Sequence, residues 1–494
     1  MSLYLILLGL FLKLFQTLFN SLMLGIFLSM QSLAVWADLP DFGSPDATIM
    51  SPAQEKRFGK AFMRSIWASQ KVIEDPLVRH YIQSLGHSLA NKSDEKNRHF
   101  SFFLINDPSI NAFAGPDGYI GVFAGLMLTA ESEDELAAVI AHEIAHVTQK
   151  HLLRAFSAAD KMTIPMAAIL LGAILLGAAG GADAGIALAM GGQAALQQSQ
   201  INFTRANEKE ADNIGMQLLK RSQFDPHAMA IFFGKMLKAN QNYISELPEF
   251  LRSHPITTNR ISDARARAET YPYRQHIDSI GFKLVRVRLR LAQYIKPMGA
   301  LRAYQQRLKK GHSKNSQAIR YGYSLALINV HQYQQAQVEI NKLLAIDPLN
   351  LFYNSALAET LMAQKKYNQV NELLENLLAL FPDNEALTIL SAENLVKQRS
   401  YQKAYNKISR LHYKNPDNPT LLQMLSEISA KLKHYSQARL YLAELYFTIG
   451  LTDVAIKQLE DGLRLEKMND YQRAMLSAKL NEYKIIQALL ISKR

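Results

Sequence analysis

Residues 132–147 read Ser132-Glu133-Asp134-Glu135-Leu136-Ala137-Ala138-Val139-Ile140-Ala141-His142-Glu143-Ile144-Ala145-His146-Val147, and the rest of the chain is best read outward from them. Ser132 with Glu135 has the form of a capping box, and the acidic first turn matches the helix dipole. Leu136, Val139, Ile140, Ile144 and Val147 recur at helical spacing, which predicts a helix with one buried face. His142 and His146 then stand at i and i+4, one turn apart on the same face, with Glu143 beside them. Two imidazoles so placed reach one zinc ion, and the carboxylate next to them is placed to take a proton from water as general base. The pattern predicts the working end of a zinc-dependent peptidase.

Such a site needs a third protein ligand. Glu208-Lys209-Glu210-Ala211-Asp212 offers one, because Glu208 and Asp212 share a helix face at i, i+4. Glu208 is expected to ligate the metal, and Asp212 to fix the tautomer of a ligand histidine from behind. The chain has no cysteine, so one zinc per chain would be held by His and carboxylate, without thiolate and without a disulfide framework. His151 falls five residues beyond His146 and should face elsewhere on the same helix. His80, His87, His99, His227 and His276 have no ligand spacing and are given no role.

Ahead of the metal helix the sequence predicts a small sheet. His99 to Ile105 and Tyr119 to Phe123 are rich in aromatic and branched residues, and Asn106-Asp107-Pro108 and Gly115-Pro116-Asp117-Gly118 punctuate them as turns. Asn111, Ala112, Phe113 and Ala114 form the candidate edge strand for substrate, which main-chain hydrogen bonds would hold whatever its sequence. A plain structural strand is an equal alternative.

The C-terminal part is periodic. Tyr333, Tyr367, Tyr401 and Tyr435 recur at 34 residues, as do Ala336, Val370, Ala404 and Ala438, while Pro348, Pro382 and Pro416 close successive units. Helix pairs of tetratricopeptide type are expected, each burying its apolar face on the next and leaving a concave surface for a protein partner. The tyrosines are read as interhelical packing. After Tyr435 the register fails, and Tyr446 through Leu463 reads as one shifted or capping helix. A cruder unit precedes around Tyr304, and Phe282 to Lys296 reads as a joining helix.

The first 37 residues carry one basic side chain, Lys13, then an apolar run and the small-residue ending Val35-Trp36-Ala37, which has the form of a secretory signal. An uncleaved anchor is the alternative. Residues 164–196 are apolar and glycine-rich. A membrane span there would require an even number of crossings between His146 and Glu208, and Ala184 to Leu196 is too short for the second, so a hairpin over the groove is expected, as a lid or as plain packing. The net charge of +12 arises from 55 basic residues scattered among 43 acidic ones, with no nucleic-acid motif. Nucleic acid is therefore excluded as a partner. Peripheral membrane contact is left open.

His142-Glu143-x-x-His146 followed by Asn207-Glu208-x-Glu210-Ala211-Asp212-x-x-Gly215 resembles the peptidase family that contains HtpX and the CAAX prenyl proteases. Asn111-Ala112-Phe113-Ala114, Gly118-Tyr119-Ile120 and Gly125-Leu126 also match that family's segment ahead of the metal helix. Leu39-Pro40-Asp41-Phe42-Gly43, Ser253-His254-Pro255 with Arg260, and the repeats resemble a periplasmic branch of it that joins the peptidase to tetratricopeptide repeats; the likeness covers most of residues 38–490. The resemblance implies a zinc endopeptidase, with a chaperone-like role, in the periplasm of a Gram-negative bacterium. Its implied partners are misfolded or assembling outer-membrane proteins and their assembly machinery, engaged through the repeats. It places His254 near the metal as a fourth, inhibitory ligand; a transition-state stabiliser is the competing role.

The expectation is thus a mainly α chain: a signal peptide over 1–37, a zinc-metalloprotease domain with a small β-sheet over 38–280, linking helices over 281–315 and an α-solenoid of repeat pairs over 316–494. A mainly non-catalytic repeat scaffold and an integral membrane protease of HtpX type are the alternatives.

Overall fold

The computed structural model describes residues 50–69, 71–157, 205–242, 250, 254–272, 274, 276–311, 316–465 and 468–491. The expected signal segment, the Leu39 to Gly43 match, and the hairpin of 164–196 lie outside them. Helices α1 (Pro52–Ser69) and α2 (Pro76–Ala90) lead into strands β1 (Ser101–Ile105), β2 (Ala112–Ala114) and β3 (Tyr119–Phe123). There follow α3 (Ala124–Thr129), α4 (Glu133–Thr148), α5 (His151–Ser157), α6 (Arg205–Arg221), α7 (His227–Asn242) and α8 (Thr258–Ala268).

Helix α4 starts as its sequence predicts. The Ser132 hydroxyl accepts from the Glu135 amide at 3.3 Å, while Glu135 reaches back to the Glu131 amide at 3.0 Å, one residue earlier than a capping box would. The predicted single buried face understates the helix, because every residue from Glu133 to Val147 is buried. Ala137, Ala138, Ala141 and Ala145 occupy the faces between the larger side chains, and α2, α6, α7 and β2 all pack against α4. Its first turn is fixed by the buried Glu133 carboxylate, which accepts from the Tyr81 hydroxyl at 2.8 Å and from the Ser279 amide at 2.7 Å.

The sheet has the order β1-β3-β2, with β1 parallel and β2 antiparallel to β3. Phe123 N–H donates to the Asn111 carbonyl at 3.0 Å and Gly115 N–H to the Tyr119 carbonyl at 2.6 Å. Main-chain groups therefore face β3 at the odd positions of β2, and those of Ala112 and Ala114 point away from the sheet. Since β2 is an edge strand lying against α4, that outward row faces the metal helix.

The array consists of α9 (Ile280–Ala292), α10 (Pro297–Lys309), α11 (Ser316–Asn329), α12 (Tyr333–Leu344), α13 (Leu351–Ala363), α14 (Tyr367–Leu380), α15 (Glu385–Lys397), α16 (Tyr401–Lys414), α17 (Pro419–Lys431), α18 (Tyr435–Thr448), α19 (Thr452–Leu463) and α20 (Asp470–Ile491). All four periodic tyrosines open a helix, and Ala336, Val370, Ala404 and Ala438 are buried in the seams. Two further features keep the same period. Asn350, Asn384 and Asn418 each cap the helix that follows, and His331, Lys365, Arg399 and Lys433 each take a positive φ of 63°, 60°, 58° and 63° just past a helix end. There the next amide closes a six-residue turn, as Lys366 N–H does on the Leu361 carbonyl at 2.9 Å.

Two expectations change. Tyr435 is 56% exposed instead of packed between helices. Tyr446 to Leu463 is not one helix: Gly450, at φ +82°, ends α18 and allows α19 to start afresh at Thr452. The predicted joining helix is no loose connector either. In α9, Phe282, Leu284, Val285, Val287, Leu289 and Leu291 are buried, and one apolar core runs without a break from Leu77 in α2 to Ala386 in α15. At its far end the array returns to the N-terminal helices: Lys60 pairs with Asp417 at 2.9 Å, and Arg64 lies 4.7 Å from the centre of the Phe447 ring. An open cleft of about 1490 Å³ lies between them. No described helix is long and apolar enough to cross a membrane.

Candidate metal centre

Helix α4 presents His142 and His146 one turn apart, and α6 crosses it closely enough to bring in Glu208. Gly215 makes that approach fit, since a Cβ there would lie 3.2 Å from the His142 amide nitrogen. His254 completes the group. One donor atom from each of the four residues lies within 4.8 Å of every other, and all four side chains are buried.

The spacings suit a small divalent cation. His142 and His146 face each other with Nε2 atoms 3.0 Å apart, and Glu208 stands 3.5 Å from the first and 3.4 Å from the second. His254 Nδ1 lies 2.9 Å from Glu208 and 3.4 Å from His142 Nε2. Ligand atoms about 2.0–2.1 Å from a tetrahedrally held zinc are separated by roughly 3.3 Å, which matches this set of nitrogen and oxygen donors.

The remaining ring nitrogens are held from behind. Asp212 sits 3.0 Å from His142 Nδ1, and Arg260 clamps Asp212 through Nε and Nη2, both at 2.8 Å. The same guanidinium reaches Glu208 at 2.8 Å and lies 4.8 Å from the centre of the Phe233 ring. On the other side His146 Nδ1 meets His151 Nδ1 at 2.8 Å, and His151 Nε2 meets Glu210 at 3.0 Å. Sequence reasoning placed His151 on the wrong face because it extended the helix through it. The helix ends at Thr148, Lys150 takes a φ of 54°, and the chain turns the fully buried His151 back onto His146. Glu210 had no separate signal: it reads as one more acid in the motif.

Burial and partners set the charges. Burial alone would lower the His142 pKa, but Asp212 and Glu208 raise it to about 9. His146 goes the other way, pushed well below its ordinary value by burial and by His142. Glu208 and Asp212 resist burial and stay low, the first chiefly through His254 and the second through His142 and Arg260. Glu143, fully buried beside the cluster, is raised by burial against the pull of His254. Its neighbours are the outward-pointing amide of Ala114 and His254 Nε2, 3.5 Å from its carboxylate.

Of the four candidate substrate-strand residues, Ala112 and Ala114 direct main chain away from β3, the Ala114 amide toward Glu143, whereas Asn111 and Phe113 are engaged with β3. Phe250 N–H donates to the carbonyl of Ile110, next along the same outward row, at 3.2 Å; His254 N–H donates to the Phe250 carbonyl at 2.8 Å. Through Phe250, His254 is therefore linked by main-chain hydrogen bonds to Ile110, two residues ahead of β2. His80, His87, His99, His227 and His276 stand outside the cluster.

Comparison with known proteins agrees with this arrangement. The sequence model of peptidase family M48 matches residues 76–268, and a tetratricopeptide repeat model matches residues 361–428. The beta-barrel assembly-enhancing protease of Escherichia coli strain K12 is 36% identical over 330 residues, covering 66% of this chain and 67% of that one. A putative beta-barrel assembly-enhancing protease of Vibrio cholerae is 38% identical over 324 residues, covering 65% of this chain and 66% of that one. The mitochondrial metalloendopeptidase OMA1 of Schizosaccharomyces pombe is 33% identical over 164 residues, covering 32% of this chain and 43% of that one. The matched region thus spans about two thirds of the length of the two bacterial relatives.

Proposed function

The chain belongs to peptidase family M48, and on that premise we propose that it is a zinc-dependent endopeptidase of the periplasm acting on outer-membrane proteins during their assembly. One observation carries this reading: His142, His146 and Glu208 meet in a buried cluster, with the Glu143 carboxyl beside it and the outward row of β2 against it. Zinc held by these three residues would supply an acidified water and polarisation of the scissile carbonyl. Glu143 takes the proton, and burial raises its pKa toward the working pH, as suits a general base. Asp212 and His151 hold the two ligand rings with Nε2 toward the centre. Ala112 and Ala114 grip an extended substrate through main chain alone, which suits unfolded chains of any sequence. The repeats position the protein substrate or its assembly machinery, a role supported by the name of the bacterial relatives and by the stacked helix pairs.

The test separates chemistry from binding. Glu143→Gln keeps the shape and removes the base, so cleavage of an unfolded protein should fall by about 10²–10⁴-fold with zinc content unchanged. Degradation at the wild-type rate would refute the mechanism.

The site rests closed in this reading. His254 lies where a fourth ligand would exclude water, and main-chain bonds link it through Phe250 to Ile110 just ahead of β2, so displacing His254 would open the centre and the approach to that strand together. His254→Ala should cleave faster than wild type at equal zinc. A slower variant would make His254 a transition-state stabiliser instead.

A further inference from the structure

Away from the metal cluster, a cavity of about 410 Å³ opens between α9, α10 and α11. Its walls carry Lys283, Arg286 and Arg290 from α9, Arg307 and the ring of Tyr304 from α10, and Lys310 just beyond it. Two acids also line it, and both are engaged. Glu131 pairs with Lys235 at 2.7 Å, and Asp278 accepts from the Glu133 amide at 2.8 Å. Among the described residues none of the five cations forms an ion pair with a carboxylate, and against the two acids of the lining they leave an excess of positive charge.

A second observation is independent of charge. Tyr304 is 1% exposed, yet its hydroxyl has no hydrogen-bond partner, and the buried Nε of Arg286 has none either. Buried donors are ordinarily satisfied, so two orphans on one cavity point to an absent acceptor. Crowding is consistent with this: burial and the neighbouring Arg290 push the Arg286 guanidinium below its ordinary range.

We propose that this cavity binds a phosphate group, presented either by a small soluble phosphate or by a lipid headgroup. The wall offers donors and unpaired cations, so the complement is a multiply charged, acceptor-only group. A carboxylate brings one charge and two oxygens; a phosphate monoester brings nearly two charges and three free oxygens, and guanidinium forks match it. The volume exceeds that of one oxyanion and admits the body that carries it. Because Glu131 precedes the metal helix while α9, α10 and α11 begin the array, the occupant would touch both parts of the molecule.

The full chain tests this with two probes. Inorganic pyrophosphate is titrated by calorimetry, and sedimentation is followed with phosphatidylcholine vesicles with and without phosphatidic acid. Saturable binding is expected in at least one arm, and the arm identifies the source. Arg290→Gln with Arg307→Gln should weaken it by about tenfold or more, and Tyr304→Phe, which keeps the ring, by roughly three- to tenfold. Arg302→Gln with Lys309→Gln removes the same charge from α10 outside the cavity and should leave affinity within about twofold. Binding in neither arm, or equal losses in the cavity pair and the control pair, would overturn the assignment.

Discussion

Around α4 the molecule joins residues that are distant in sequence, whereas the array from Tyr333 onward joins neighbours. His142 and His254 are 112 positions apart and lie 3.4 Å from each other, and Glu208 comes from a second helix. In the array, Ala404 is to its helix what Ala336 is to the one 68 residues earlier, and each seam is closed by the adjacent helix. The apolar cores follow the same division. One continuous core unites the sheet, α4 and the first repeats as far as Ala386, while separate smaller cores, such as that of Ile389 to Tyr441, serve the later pairs. A buried polar site assembled from several elements should fail when any one of them is lost, and damage to a later repeat should stay local.

The strongest challenge to that contrast is a cavity in a later repeat. Ile408 is fully buried in a core that excludes every metal-cluster residue. Ile408→Ala should cost about 2–5 kcal/mol locally, seen as early melting of the C-terminal helices by hydrogen exchange, with zinc content and peptide cleavage unchanged. Parallel loss of zinc would mean that array and peptidase unfold as one unit. A smaller effect sharpens the other side. His151→Ala leaves the metal ligands in place but releases His146 Nδ1, so zinc affinity should fall by about 10–100-fold, measured by competition with a chelator. Unchanged affinity would reduce His151 to packing.

What the sequence reveals follows the same line. The i, i+4 spacing of His142 and His146, the Glu208 and Asp212 pair, and the 34-residue period are local patterns, and the structure places each on the helix expected of it. The outward direction of Ala112 and Ala114 was not legible, because it depends on which strand β2 pairs with. The His151 to His146 contact depends on a single positive φ at Lys150, which no periodicity announces. The burial of α4 on all sides was hidden for a different reason: its alanines are neutral in a periodic reading and become informative only when α2, α6 and α7 close on them. The capping asparagines at 350, 384 and 418 were visible in principle, as a second period behind the tyrosines.

The central claim is that the buried group of His142, His146, Glu208 and His254 is a metal centre, and the metal content of the purified chain tests it most directly. Elemental analysis should find about one zinc per wild-type chain and, after dialysis against a mild chelator, roughly a tenth of that or less in Glu208→Ala, since losing the one carboxylate ligand removes most of the affinity. Equal zinc in the two proteins would remove Glu208 from the centre. A wild-type chain that takes up no zinc would contradict the account altogether.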